Sequence, residues 1–399
     1  MHGTGVEQGG SAKEVLRTSP HQYVAWALEH PARSIPPFGT RSTTRHGSQR
    51  DSPDATNPTG TMERVKDIFL SPPTSEPMEF VSDLLGDLSV PDPDARTLTD
   101  PQAAAKLIAD ETRSRVQAVL ERFPGTPSIL LSGGVDSIYV AAMAADLGVR
   151  AQAITIVTGD GADRPHAAAA AAALGLPHDI IELTADEVVQ LARDVMGRIG
   201  TSELWEVTAG IPLLAARRSL DRIANPGPIL TGSGADAIFG GGRKPTHPLD
   251  SDEARAEIDR LIREESAANF RYDRLVPDFY PALLDRYADR LIHVFQTVRW
   301  WRLAARFAPR ALFGDHDGSP VDKLALRIAC DALLPSGAKH LAWTAKSPIQ
   351  RASGLMGALA TAARAYAAGL PGATTYTNPK TEDPEAVATR LYLAILKGD

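Results

Sequence analysis

Ser128-Ile-Leu-Leu-Ser-Gly-Gly-Val-Asp-Ser137 reads as a short buried strand over 128–131, a Ser-Gly-Gly turn, and a helix beginning near Ser137. The apolar, Ala-rich run from Tyr139 to Leu147 carries that helix on, and Gly148 ends it. A glycine turn between strand and helix leaves backbone N–H groups open at a helix N-terminus, where the dipole also favours an anion such as phosphate. Gly133 and Gly134 let a ligand approach the backbone with no Cβ in the way. Asp136 would repel phosphate unless a cation lay between them, and Mg²⁺ is commonly held by one or two carboxylates plus phosphate oxygens. An ordinary glycine turn is the plainer reading of residues 132–137 alone. The G-x-x-x-x-G-K-[ST] phosphate loop does not occur in the sequence.

The 399 residues carry 42 Lys+Arg against 49 Asp+Glu, a net charge of −7, and no basic stripe to favour nucleic acid or an anionic membrane. With 43% hydrophobic residues most of the chain can fold as a globule. The single cysteine, Cys330, lies in an apolar helical pattern and reads as a small buried hydrophobe. No membrane-spanning run and no signal peptide is evident, so a cytoplasmic location is expected. Residues 1–61 are polar and rich in Pro, Ser and Arg, and read as a disordered extension; translation starting at Met62 is an alternative. Residues 62–97 read as a packing arm and linker with anchors at Val65, Ile68, Phe69, Phe80, Val81, Leu84 and Leu85.

From Asp100, a helix cap for Pro101 to about Phe123, the chain alternates. Strands are expected at Ala153–Thr158, Asp179–Leu183 and Pro228–Thr231. Helices are expected at Arg164–Leu174, Ala185–Ile199 and Val207–Ile223, the last kinked or starting late because of Pro212. This order predicts an α/β fold with a doubly wound parallel sheet over 124–245, followed by a helical, aromatic-rich part over 246–370 and a tail, 371–399, with a short helix from Pro384 to Leu396. Ligands of such sheets sit beyond the carboxyl ends of the strands. Leu131–Asp136, Val157–Asp163 and Thr231–Gly242 therefore border one crevice. Leu230-Thr-Gly-Ser-Gly-Ala-Asp-Ala-Ile-Phe-Gly-Gly-Gly242 repeats the strand-to-glycine-turn pattern and supplies a second carboxylate, Asp236. Two aspartates beside bare backbone amides suit Mg²⁺ held against a triphosphate, although solvated turn aspartates are the plainer reading.

SGGVDS resembles the PP-loop of the N-type ATP pyrophosphatases, and the two loops together resemble the synthetase domain, here over 98–370, of the asparagine synthetase and β-lactam synthetase family. Val321-Asp-Lys-Leu-Ala-Leu-Arg327 is similar to that family's Lys-x-x-Leu-Arg helix, and Thr344–Gly354 to its lysine loop. The resemblance implies ATP and Mg²⁺ as cofactors, with Asp136 and Asp236 as metal ligands. It implies nucleotide contacts from Leu130, Ser132, Gly133, Gly134, Asp136, Ser137 and Val157 on one side, and from Gly232 and Ser233 on the other. Lys346 would stabilise the transition state and pyrophosphate, Lys323 would help hold the phosphates, and Glu203 would be the candidate general base.

The sequence departs from that pattern in three ways. Position two is His2 rather than the cysteine that starts glutamine hydrolysis, and the chain ahead of Ser128 is short for an amidohydrolase-like domain, so none is expected. Ser233 and Ala237 replace acidic residues of the second loop. Gly200 falls where asparagine synthetases place a catalytic glutamate, which leaves Glu203 and Glu206 as nearby carboxylates; a solvated helix-start carboxylate is the plainer reading of Glu206. The expected activity is an AMP-forming carbon–nitrogen ligase. It would adenylate a small carboxylic acid for attack by ammonia, a small amine or an internal amine, in specialised metabolism such as antibiotic biosynthesis. A homodimer or a partner protein is compatible with the sequence. Two other readings stand beside it: a PP-loop enzyme inserting sulfur or nitrogen at a carbonyl, and a degenerate nucleotide-binding partner subunit.

Overall fold

The computed structural model describes residues 73–159, 161–344 and 352–398. The extension 1–61, the anchors Val65, Ile68 and Phe69, and Lys346 lie outside these residues. After a short helix α1 (Val81–Leu85), α2 (Pro101–Arg122) starts beneath Asp100, whose carboxylate accepts the Gln102 N–H at 2.9 Å. The sheet then builds as β1 (Thr126–Leu130), α3 (Val135–Asp146), β2 (Gln152–Thr158), α4 (Asp163–Ala173), β3 (His178–Leu183), α5 (Ala185–Ile199), α6 (Leu204–Leu220) and β4 (Pro226–Thr231). Next come α7 (Ala235–Phe239), α8 (Asp252–Asn269), α9 (Phe279–Leu284), β5 (Leu291–His293), α10 (Val298–Ala304) and α11 (Pro309–Leu312). A hairpin of β6 (Gly314–His316) and β7 (Ser319–Val321) leads to α12 (Leu324–Leu333), α13 (Leu355–Gly369) and α14 (Pro384–Lys397).

The five long-range strands form one parallel sheet in the order β3-β2-β1-β4-β5. The order reverses between β1 and β4, which opens a crevice beyond their carboxyl ends. Residue parity sends alternate side chains to two separate cores. On one face Ile129, Ala153, Leu230 and Ile292 pack under α2, α3, α4 and α12. On the other, Ile154, Ile156, Ile229 and Leu291 pack under α5, α6, α9 and α13.

Two expectations require correction. Residues 250–318 are not wholly helical: Leu291–His293 is the fifth strand, pairing Ile229 with Leu291 and Thr231 with His293. Three residues are too short for a periodic signal, and a strand buried on both faces shows no alternation. Helix α6 starts at Leu204, earlier than expected, and runs through Pro212. The Glu203 carboxylate caps it by accepting the Glu206 N–H at 2.8 Å.

The outer edge of β5 is covered by the chain ahead of α1. His293 N–H donates to the Pro77 carbonyl at 2.9 Å, Glu79 N–H to the Gln296 carbonyl at 3.0 Å, and Val298 N–H to the Glu79 carboxylate at 2.6 Å. The buried Arg115 guanidinium gathers the carbonyls of Thr74, Glu76 and Pro77.

Candidate active site

The turn after β1 is tied internally. The Ser137 hydroxyl lies 2.8 Å from the Ser132 carbonyl, 3.1 Å from the Gly134 carbonyl and 3.0 Å from Ser132 Oγ. Thr155 on β2 donates its hydroxyl to the Leu131 carbonyl at 2.7 Å, fixing the base of the turn. The turn after β4 lies directly on this one. A Cβ at Gly232 would come within 2.6 Å of the Asp136 carbonyl carbon and 2.7 Å of Ser137 N, so only glycine permits the approach. Gly241 is similarly required, because a Cβ there would strike the Asp236 carboxylate.

The two loops bring their carboxylates to one point. Lys323 Nζ lies 2.7 Å from Asp136 Oδ1 and 2.7 Å from Asp236 Oδ1. The lysine is 1% exposed, and it adopts a left-handed backbone (φ 50°) at the start of α12. Arg327, one turn into α12, holds that backbone in place. Its guanidinium donates to the Asp322 carbonyl at 2.8 Å and to the Asp322 carboxylate at 2.8 Å, and the other oxygen of that carboxylate accepts the Gly242 N–H at 2.6 Å. Burial alone would raise the Asp322 carboxyl, but these hydrogen bonds win and hold it below the usual carboxylate range. Arg327 also donates to the Ala342 and Thr344 carbonyls, at 2.9 and 3.1 Å, just before the lysine loop.

A cavity of about 380 Å³ opens at this crevice and runs along the second face of the sheet. Of the residues expected to contact nucleotide, Leu130, Ser132, Asp136, Ser137, Gly232 and Ser233 line it, together with Asp236. Val157 does not. It has the parity of Ala153 and faces the opposite core, whereas Ile154 and Ile156 line the cavity in its place. Gly133 and Gly134 are not lining residues either; a Cβ at Gly133 would come within 2.9 Å of the Asp163 carbonyl, so that glycine serves packing against α4. Glu203, expected as a base, caps α6 and is absent from the lining, and Lys323 sits behind the two aspartates.

Three side chains outside the expected catalytic, nucleotide and metal residues shape the far end, among them Tyr280, whose Tyr280–Asp285 segment weakly resembles the family's substrate-side Pro-Phe-Leu-Asp stretch. Tyr280, on α9, and His293, at the end of β5, line the cavity with ring centroids 4.9 Å apart. Burial pushes the His293 imidazole down to about 3 and raises the Tyr280 phenol. Arg274, over the Phe279 ring, forks onto the Glu206 carboxylate at 3.0 and 2.8 Å. The helical spacing of this aromatic-rich segment hides which of its rings face a cavity, so periodicity alone does not find Tyr280. His293 carries no sequence signal.

Among the described residues no three His, Cys, Asp or Glu side chains gather as a metal cage. Asp136 and Asp236 nonetheless fit Mg²⁺, since two hard carboxylate oxygens already converge on one ammonium cation and Mg²⁺ ordinarily completes its shell with phosphate and water.

A family model described as asparagine synthase matches residues 62–368. The chain belongs to the asparagine synthase family. Members of the asparagine synthase family are ATP-using amide ligases of PP-loop type, and the parallel sheet with its two glycine loops is that architecture in this chain. No curated protein matches. Solved structures similar to the chain include glutamine-dependent NAD⁺ synthetase from Acinetobacter baumannii with ADP, at 19% identity over 47% of this chain and 36% of that one, TM-score 0.28. NMN synthetase from Francisella tularensis is similar at 14% identity over 62% of this chain and 98% of that one, TM-score 0.27. NH3-dependent NAD synthetase from Campylobacter jejuni is similar at 18% identity over 48% and 93%, TM-score 0.25. The chain spans about a third of the first of these, and scores this low bear no inference on activity.

Proposed function

We propose that the protein is an AMP-forming ligase that adenylates a small carboxylic acid with release of pyrophosphate and passes the acyl group to ammonia or an amine. The observation that carries this reading is the convergence of Asp136 and Asp236, from loops at the carboxyl ends of adjacent strands, on the buried Lys323 ammonium. Adenylation demands mainly positioning and charge neutralisation, because the acid's own oxygen attacks the α-phosphorus and pyrophosphate leaves. Mg²⁺, held by Asp136 and Asp236, would supply positive charge against the triphosphate. The Ser132–Ser137 turn at the N-terminus of α3 presents backbone donors to a phosphate, and Lys323 adds a cation that Arg327 keeps in position. Lys346, outside the described residues, is proposed to neutralise the leaving pyrophosphate.

Sulfur insertion fits less well. Cys330, the one cysteine, is fully buried in α12 and burial pushes its thiol up, away from the thiolate that such chemistry needs. Incubating the protein with ATP, Mg²⁺ and a panel of carboxylic acids, with and without ammonium or small amines, is expected to give AMP and pyrophosphate in equal amounts. Formation of ADP, or nucleotide binding with no turnover on any acid, would overturn the proposal.

A further inference from the structure

Beyond the two loops the cavity changes character. The end toward β5 is walled by Ala209, Pro212 and Leu213 of α6, Phe279 and Tyr280 of α9, and Leu291 of β5. No lysine or arginine is among the described residues lining the cavity, and the nearby Arg274 is already matched by Glu206. A second negative charge on a substrate would be desolvated here with no cation among the described lining residues to meet it, which is strongly unfavourable.

One polar atom breaks this apolar wall. His293 Nε2 is buried and has no hydrogen-bond partner among the described residues, although buried polar atoms are nearly always paired. Its other ring nitrogen, Nδ1, lies 3.3 Å from Thr231 Oγ1, and that oxygen also accepts the Ser233 N–H at 3.3 Å. Thr231 Oγ1 accepts from Ser233 and retains its hydroxyl proton, which can be donated to Nδ1. The ring proton then resides on Nε2, as a neutral donor. The Tyr280 ring packs beside His293, tilted 55° to it.

We infer that the β5 end of the cavity takes an apolar monocarboxylic acid and that His293 Nε2–H donates to its carboxyl oxygen, the atom on which charge develops during acyl transfer. The inference rests on the adenylation reading and narrows its substrate class. A neutral donor suits this task because it binds the acid and the adenylate alike without adding charge to a dry pocket.

The test is pyrophosphate release with octanoate, phenylacetate and L-aspartate, for the wild type, His293→Leu and His293→Gln, with folding of each variant followed by circular dichroism. Octanoate or phenylacetate is expected to exceed L-aspartate in kcat/KM by about 100-fold or more. His293→Leu is expected to lower kcat/KM for the preferred acid by about tenfold or more with KM for ATP unchanged, and His293→Gln, which keeps a neutral donor, to recover most of that loss. Preference for L-aspartate, wild-type kinetics in His293→Leu, or an effect confined to KM for ATP would overturn the inference while leaving adenylation intact. ATP binding with no pyrophosphate from any acid would instead bring down the adenylation reading and the inference with it.

Discussion

Lys323 is buried between two carboxylates, and its left-handed backbone is a conformation that few non-glycine residues adopt. Replacing it with methionine removes the buried ammonium that Asp136, whose side chain is 6% exposed, and Asp236 both accept from. Breaking a buried pair costs about 3 kcal/mol, reduced here because the Asp236 side chain is 53% exposed to screening solvent. Lys323→Met is therefore expected to unfold at lower urea than the wild type. Millimolar Mg²⁺ should then raise the melting temperature of the variant more than that of the wild type, because the ion can occupy the point the ammonium held. Equal melting shifts in the two proteins would mean that Mg²⁺ does not take the point the ammonium held. The residue scale is also where sequence reading reached least far. Asp136 and Asp236 were legible because each follows a strand and a glycine turn. His293 was not, because nothing local marks a histidine at the end of a three-residue buried strand. The cap role of Glu203 was not legible, because a carboxylate at a helix start has the same sequence signature whether it caps the helix or faces a cavity.

At the scale of elements, the site depends on two loops in van der Waals contact. Gly232→Ala would insert a methyl group 2.6–2.8 Å from the Asp136 and Ser137 backbone and the Asp136 Cβ, none of which is the flexible end of a side chain. The loops must separate by several tenths of an ångström, at a cost of about 1–3 kcal/mol. The expected outcome is a rise of about tenfold or more in KM for ATP with an unchanged circular dichroism spectrum. An unaltered KM would show that contact between the loops is irrelevant to nucleotide binding. The elements themselves were largely readable. Ala185–Ile199 coincides with α5 residue for residue, and β2 and β3 each begin one residue before the expected start. Those segments carry long periodic patterns or capping signals, such as the Thr184–Glu187 box that opens α5. The late start expected for α6 failed because the Glu203 cap and tertiary packing outweigh the local effect of Pro212.

Across the whole molecule, one buried imidazole couples stability to pH. His293 is neutral in the fold with its pKa near 3, whereas in the unfolded chain it would titrate near 6.5. A depressed folded pKa contributes stability that is complete above pH ~6.5 and is lost as pH falls toward 3, because only the unfolded chain takes up the proton. Between pH 6.5 and 5 this amounts to ~2 kcal/mol. Urea unfolding at pH 7 and pH 5 is expected to show a smaller loss in His293→Gln than in the wild type, by about that amount. Identical losses would mean that this ring is not buried neutral.

The segment from Thr74 to Glu79 takes the His293 N–H of β5 and the Gln296 carbonyl just beyond it, groups that a sixth strand would need. A second copy of the chain is thereby denied that margin for strand-to-strand pairing. The opposite margin, β3, displays Asp179 and Glu182, engaged by Arg222 from the turn after α6 and Arg164 from α4, and is guarded by charge. Both margins of the five-stranded sheet thus carry features that oppose pairing with a strand of a second copy.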